Sequence, residues 1–233
     1  MIFYLIRHGR QNSSDCNVDV PLSEAGRRQA ELLGKRMKRY PVDALYSSDL
    51  VRAVETARIA FADRPDLLKE HQIIPDFKEF DFGDLTACPD AQVKDFYREY
   101  YEKNIQAFKA GEEGPSPASI RTAGYFVPPR DMAYPGGEDG GMVLERVLSA
   151  LEQILATKKQ HVAIVTHGGV IRVLLAALFG GDVRKRLLFG TSLENCGITQ
   201  IHYDEEKRGF FLDRFNDYAH IEECEDLMRR NFS

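Results

Sequence analysis

One apolar run, Met1 to Ile6, ends abruptly in Arg7-His8-Gly9, and no other feature constrains the chain as strongly. The run predicts a buried strand, and the Arg-His-Gly that follows predicts the loop leaving its carboxyl end. Open α/β sheets place their ligands outside such ends. The pattern recurs late in the chain, where His161-Val162-Ala163-Ile164-Val165-Thr166 runs directly into His167-Gly168-Gly169. Two strands, each delivering a histidine backed by glycine, are hard to explain by packing alone.

Between and after these strands the apolar pattern alternates between strand and helix periods. Pro21-Leu22-Ser23-Glu24 predicts a helix start with Ser23 as N-cap, and Ala30, Leu33 and Met37 mark its buried face. The basic residues opposite, Arg27, Arg28, Lys35, Arg36 and Lys38, read as a solvated face rather than a binding patch. Val42 to Tyr46 predicts a second strand and Ser47-Ser48-Asp49 a turn and N-cap cluster. A helix from about Leu50 to Phe61 then carries Arg52 in its first turn. Helix starts offer N–H groups and a positive dipole end to anions, and an arginine adds a bidentate fork. On this stretch alone an exposed helix-start arginine is the simpler account.

Ile73-Ile74-Pro75 and Phe77 to Phe82 predict extended chain. Alternation there puts Phe80 and Phe82 on one face and Glu79 and Asp81 on the other, a pattern that a half-buried strand without chemistry would share. From Cys88 a helix carrying Phe96, Tyr97, Tyr100, Tyr101 and Phe108 gives way to a Gly- and Pro-punctuated segment reaching Pro135. Irregular stretches of this length are more often lids or insertions than plain loops, so about 85–136 is expected to cap the site, its aromatic rings packing rather than stacking on ligand. Leu144, Val147, Leu148, Leu151, Ile154 and Leu155 define an amphipathic helix. The strand at 161–166 and a helix from about Val170 to Phe179 follow. Ile198 to Tyr203 and Phe210 to Phe215 predict an edge hairpin, and Ile221 to Arg230 a terminal helix. The expected fold is a three-layer α/β/α sandwich with a mostly parallel central sheet, a single domain over 1–233 with a cap inserted.

A chain of 233 residues can bury a substantial core. Its net charge of −5 gives no reason to expect nucleic acid or an anionic membrane as partner. Cys16, Cys88, Cys196 and Cys224 are scattered without metal-ligand spacing, which argues against structural zinc and for reduced thiols. No apolar segment is long enough to span a bilayer, and Met1 leads directly into a strand rather than a leader. A cytoplasmic enzyme is the expectation. Oligomeric state is not legible.

The chemistry converges on a phosphoryl group, with His8 and His167 facing one another across it. Catalysis of phosphoryl transfer is mostly positioning and charge stabilisation, which Arg7, Arg52 and His167 can supply without a metal or other cofactor. His8 can act as a nitrogen nucleophile, kept neutral by the flanking guanidinium groups. Glu79, with Asp81 as the reserve, is the carboxylic acid that protonates the leaving alcohol and then activates water.

Leu5-Ile6-Arg7-His8-Gly9, Pro21-Leu22-Ser23-Glu24-Ala25-Gly26, Ser47-Ser48-Asp49-Leu50-Val51-Arg52-Ala53 and Val165-Thr166-His167-Gly168-Gly169, in this order, closely resemble the histidine phosphatase superfamily. That group includes the cofactor-dependent phosphoglycerate mutases. The resemblance implies His8 as phosphoacceptor and Arg7, Arg52 and His167 as the rest of the phosphate pocket. It also implies Glu79, in Lys78-Glu79-Phe80 before Phe82-Gly83-Asp84, as proton donor, and Gly168 as a point of close backbone approach. Gly190-Thr191-Ser192 and Tyr218 to Glu223 resemble the carboxyl-terminal part of the small broad-specificity phosphatases.

Departures from the pattern are as informative. Arg10-Gln11 stand where the family usually has Glu or Gln and then Thr or Ser. Gln11 could donate an amide N–H in place of the missing hydroxyl, and Arg10 adds a rim charge that would favour an acidic substrate or lie in solvent. Ser14 stands where the family often has Asn, with Asn12 and Asn17 nearby, and Leu85-Thr86-Ala87 replaces the expected aromatic-Glu-Gly. The paired arginines and tyrosine of a mutase are not visible around 84–95, so hydrolysis of a small phosphomonoester is favoured over mutase-type transfer, and both over a catalytically silent phosphate-binding module. Arg121 and Arg130 of the cap are further candidates for substrate contact or for plain exposure.

Overall fold

A computed structural model of the chain describes residues 1–110, 131–190 and 192–229. Arg121, Arg130, Thr191 and the 111–117 segment lie outside the described residues. Among the described residues the sheet has six strands: β1 (Ile2–Arg7), β2 (Ala44–Ser47), β3 (Gln72–Ile73), β4 (His161–Thr166), β5 (Ile198–Asp204) and β6 (Gly209–Asp217), in the order β3-β2-β4-β1-β5-β6. The pairings from β3 to β1 are parallel, and β5 and β6 close the sheet antiparallel, as the expected edge hairpin.

Period-two alternation in β1 and β4 separates two cores. Phe3, Leu5, Val162 and Ile164 face α5 (Gly140–Ala156) and α6 (Gly168–Leu175) through Val143, Val147, Leu151 and Val170. Tyr4, Ile6, Ala163 and Val165 face α1 (Glu24–Met37) and α2 (Val51–Ala60) through Ala30, Leu33, Ala53 and Ala57. A strand buried on both faces this way must be apolar throughout, which is why Met1–Ile6 and 162–165 read as continuous runs. Helix α1 starts where the sequence predicts, with Ser23 accepting the Gly26 N–H at 3.1 Å. Short helix α3 (Pro65–Lys69) precedes β3, and α4 (Asp90–Lys109) carries the aromatic run expected of the cap. Among the described residues no helix is long and apolar enough to cross a membrane.

Four expectations are corrected. Phe77 to Phe82 is not a strand. Short 3₁₀ turns at Pro75–Phe77 and Gly83–Leu85 bracket it, and the carbonyls of Lys78 and Glu79 bond to Arg146 at 2.9 and 3.2 Å instead of a ladder. The cap of α2 is not the Ser47-Ser48-Asp49 cluster. Leu50 is the N-cap, and Asp19, from the loop between β1 and α1, accepts the Val51 N–H at 2.9 Å. Helix α6 begins two residues early, at Gly168, and widens to π geometry over Ala176–Gly180 before Gly181, at φ 65°, stops it. The terminal helix is replaced by successive three-residue turns, in which Ile221, Cys224 and Leu227 donate to Tyr218, Ile221 and Cys224. A period of three buries Ile221 and Leu227 together without forming an α-helix.

Candidate active site

Three parallel strands end in register. Arg7 lies opposite Thr166 and Ser47 opposite Val165, so His8, His167 and Ser48 emerge side by side at the carboxyl edge. This edge lies where β1 turns from a parallel neighbour, β4, to an antiparallel one, β5. The imidazole rings of His8 and His167 are tilted at 53° with centroids 4.9 Å apart.

Both rings are buried, His8 at 5% and His167 at 0% relative exposure, and Arg52 beside them is at 1%. The His8 Nδ1 lies 2.6 Å from the Gly9 carbonyl, and this contact assigns the proton to Nδ1 and leaves Nε2 unprotonated. Arg52 Nε donates to that Nε2 at 3.3 Å, while its other nitrogens reach the Val18 carbonyl and Asn17 Oδ1, both at 3.0 Å. Burial, and then the Arg52 and Arg7 guanidinium groups, push His8 well below the ordinary histidine range. His167 is pushed down too, by burial and then by His8, Arg52 and Arg7. Its Nε2 meets Ser48 Oγ at 2.8 Å, and its Nδ1 has no partner among the described residues. Neutral imidazoles beside fixed cations form a nucleophile in a positive field, which suits a phosphoryl group.

A cavity of about 150 Å³ opens beside this floor, lined by Arg7, Glu79, Gly168, Gly169, Arg172 and Arg229 among others. The Arg7 guanidinium donates through Nη1 to the Leu193 carbonyl, and its buried Nε has no partner among the described residues. Glu79 Oε2 accepts the Gly169 N–H at 3.3 Å, at the first turn of α6. Arg146 holds the backbone of Glu79 and Lys78 from α5 and is itself paired with Glu138 at 2.9 Å. The apolar wall is a ring stack, with Phe82 over Tyr134 at 4.2 Å and Phe80 edge-on to Tyr134 at 5.7 Å. Tyr97 of α4 joins it through a 2.6 Å bond between its hydroxyl and that of Tyr134.

A model of the histidine phosphatase superfamily, branch 1, matches the chain over residues 3–123 and 118–218. The chain belongs to the histidine phosphatase superfamily. It is 28% identical to a metal-independent phosphoserine phosphatase of Arabidopsis thaliana over 238 aligned positions, 97% of this chain and 85% of the relative. It is 30% identical to phosphoserine phosphatase 1 of Hydrogenobacter thermophilus over 211 positions, 88% of this chain and 85% of the relative. The solved structure of a mycobacterial glucosyl-3-phosphoglycerate phosphatase shares the fold, with a TM-score of 0.68 at 24% identity, covering 92% of this chain and 98% of that one.

Of the residues that histidine phosphatase motifs single out, Arg7, His8, Arg52, His167, Gly168 and Glu79 converge, and three others do not. Arg10 points away from the cavity, its guanidinium donating to the carbonyls of Leu227 and Met228 at 2.8 and 3.0 Å. Gln11 spends its amide on the carbonyl of Asp15 at 2.7 Å, within its own loop. Asp81 turns back to accept the Gly83 N–H at 2.8 Å. Arg10 and Gln11 are therefore corrected from pocket contacts to loop and tail anchors. The close approach expected at Gly168 belongs to Gly169. A Cβ on Gly168 would come no nearer than 3.5 Å to Arg7 Nε, whereas one on Gly169 would strike Glu79 and the Phe80 ring.

The expected Asn substitute, Ser14, is also displaced. Asn17, at φ 52°, is the residue that bonds Arg52, and its Nδ2 donates to the Phe80 carbonyl at 2.7 Å. Sequence reasoning misses Asn195, whose side-chain amide donates to the His8 carbonyl at 2.8 Å, and also Arg172 and Arg229. An isolated arginine after Gly-Gly-Val-Ile or near a terminus carries no local signal.

Proposed function

We propose that the protein is a metal-independent phosphomonoester hydrolase working through a phosphohistidine on His8. The observation that carries this reading is the fixed tautomer of His8, whose Nε2 lone pair faces Arg52 in the cluster with Arg7 and His167. In the first step Nε2 forms the N–P bond as the ester P–O bond breaks, and Glu79 gives its proton to the departing alkoxide. In the second, Glu79 takes a proton from water as its oxygen forms the new P–O bond and the N–P bond breaks, releasing inorganic phosphate. Arg7, Arg52, His167 and the N–H groups opening α6 hold the phosphoryl oxygens. The segment about 85–136 acts as a cap on one single domain, with Tyr97 and Tyr134 as its contribution to the wall.

The likeness to phosphoserine phosphatases supports hydrolysis over transfer. Incubation with a panel of phosphomonoesters, then with phosphoglycerate and a bisphosphoglycerate primer, tests it. Phosphate release that persists in chelator is the expected result; isomer interconversion without net phosphate release would overturn it in favour of a mutase, and silence in both assays in favour of a phosphate-binding module.

A further inference from the structure

The backbone from Asp226 to Arg229 is tied down at every step. Arg10 donates to the carbonyls of Leu227 and Met228, and Gln29 Nε2 adds a 2.7 Å bond to Leu227. Arg28 pairs with Asp226 at 2.5 Å, and the Arg229 N–H lies 3.2 Å from both carboxylate oxygens of Glu194. Glu194 is 2% exposed and adjoins Asn195, which holds the His8 carbonyl. All this fixes where Arg229 stands, yet its guanidinium has no hydrogen bond or ion pair among the described residues. Arg172 is similar. Nε and Nη2 reach the carbonyls of Phe189 and Gly190 at 3.3 and 2.7 Å, and no carboxylate among the described residues lies within 4 Å.

These two cations, neither ion-paired among the described residues, line the same cavity as Glu79. Arg186, also at its edge, is by contrast already paired with Asp131. Burial lowers the Arg229 guanidinium from its ordinary value, and Arg172 and Arg10 add to the fall while Glu194 and Asp90 oppose it. Both cations line one small cavity, and neither guanidinium is ion-paired among the described residues, so a ligand anion there gains charge-assisted hydrogen bonds that the protein leaves unmade.

We propose that Arg229 and Arg172 form a second anion subsite, and that Arg10 and Gln29 are positioning residues that hold the carboxyl-terminal segment over the cavity. The substrate class is then a small phosphomonoester whose alcohol carries another anionic group, a carboxylate or a second phosphate. This rests on the hydrolase reading for its phosphate end. It also gives Arg10 a part in charge selection that differs from direct contact at the rim.

Phosphoglycolate and ethyl phosphate differ by a carboxylate in place of a methyl, so their kcat/KM ratio reads the subsite. For the intact protein the ratio should exceed about 10, the scale of one charge-assisted hydrogen bond, and 1,2-ethanediol bisphosphate as a third ester shows which anion is preferred. Arg229→Ala and Arg172→Gln should each lower the ratio about tenfold, mainly through KM. Arg10→Ala should lower it in the same direction, and Arg10→Lys, which can still donate to the carbonyls, should restore it. A ratio near one in the intact protein, or a loss in Arg229→Ala equal for both esters, would overturn the subsite. If no ester turns over, the hydrolase reading fails separately. Calorimetric titration of His8→Ala protein then decides: tighter binding of phosphoglycolate than of ethyl phosphate, lost on adding Arg229→Ala, supports the subsite, and equal binding overturns it.

Discussion

At the catalytic floor, beside the cavity, His8 and His167 leave adjacent parallel strands one residue past a matched pair, Arg7 and Thr166. At its mouth, Arg229 arrives on a segment of turns, held by side chains reaching across 217 residues of sequence. The floor is positioned by the sheet ladder, whose hydrogen bonds are backbone and whose register is set by buried apolar alternation. The mouth is positioned by side chain-to-backbone bonds, chiefly those of Arg10, Gln29 and Glu194. A ladder tolerates change in the side chains that do not pack. A clamp of a few side chains does not, so reaction chemistry belongs to the rigid region and selectivity to the adjustable one.

The largest effect should come from the floor. His8→Ala removes the nucleophile and should reduce turnover at least about 10³-fold, with no phosphoenzyme trapped from labelled substrate. Retained turnover would break the comparison at its base, since the floor would then hold no chemistry. Glu79→Gln keeps the shape of the side chain and its bond to Gly169 but cannot give up a proton in the same way. A loss of about 10²- to 10⁴-fold is expected for alkyl esters, and a clearly smaller one for p-nitrophenyl phosphate, whose leaving group needs little protonation. Equal losses for both esters would remove Glu79 from the proton-donor role.

The same division explains which features are legible in the amino-acid sequence. Strands β1 and β4, Ser23 as N-cap and the cluster of Arg7, His8, Arg52 and His167 are legible because their signals are local: apolar runs, a capping residue, short motifs. Glu79 is legible as a residue, although its backbone is not the strand that alternation implies, because Arg146 takes the carbonyls a ladder would have used. Arg10 stands out as unusual, but its partners are not the ones its place beside His8 implies. Nothing local to residues 10 or 227 encodes their contact, and a turn series with a period of three can pass for a helix over nine or ten residues. Asn195, Arg172 and Arg229 escape sequence reasoning, and Asn17 is passed over for Ser14, for the same reason, each depending on a contact made by the finished fold.

Two adjacent glycines sharpen how tightly the floor is built. Gly169→Ala would drive a methyl group into Glu79 and the Phe80 ring, and overpacking of this kind costs typically about 1–3 kcal/mol. Because the displaced atom is the proposed proton donor, kcat should fall by about tenfold or more alongside the urea midpoint. Gly168→Ala meets only Arg7 Nε at 3.5 Å, so its losses should be the smaller in both measurements. The reverse order would mean that close approach is needed at Gly168.

The smallest effect concerns acid stability, and it separates floor from mouth by their histidines. His8 and His167 are held neutral at the floor by burial and adjacent cations, and burial pushes His220, on the way to the carboxyl-terminal segment, down to about 4. In the unfolded chain each titrates near about 6.5, so the unfolded state binds more protons once the pH falls below that value. Stability is therefore complete above about pH 6.5 and declines towards pH 5, by at most about 1.4 kcal/mol per pH unit for each histidine. Asp217, which burial would raise but its bonds to Arg214 and Arg36 hold at about 2, adds its loss only at lower pH. Urea midpoints at pH 8, 6.5 and 5.5 measure the slope. His220→Gln should flatten it by up to one histidine's share while leaving the floor's share in place; an unchanged slope would assign the whole acid sensitivity to His8, His167 and their neighbours.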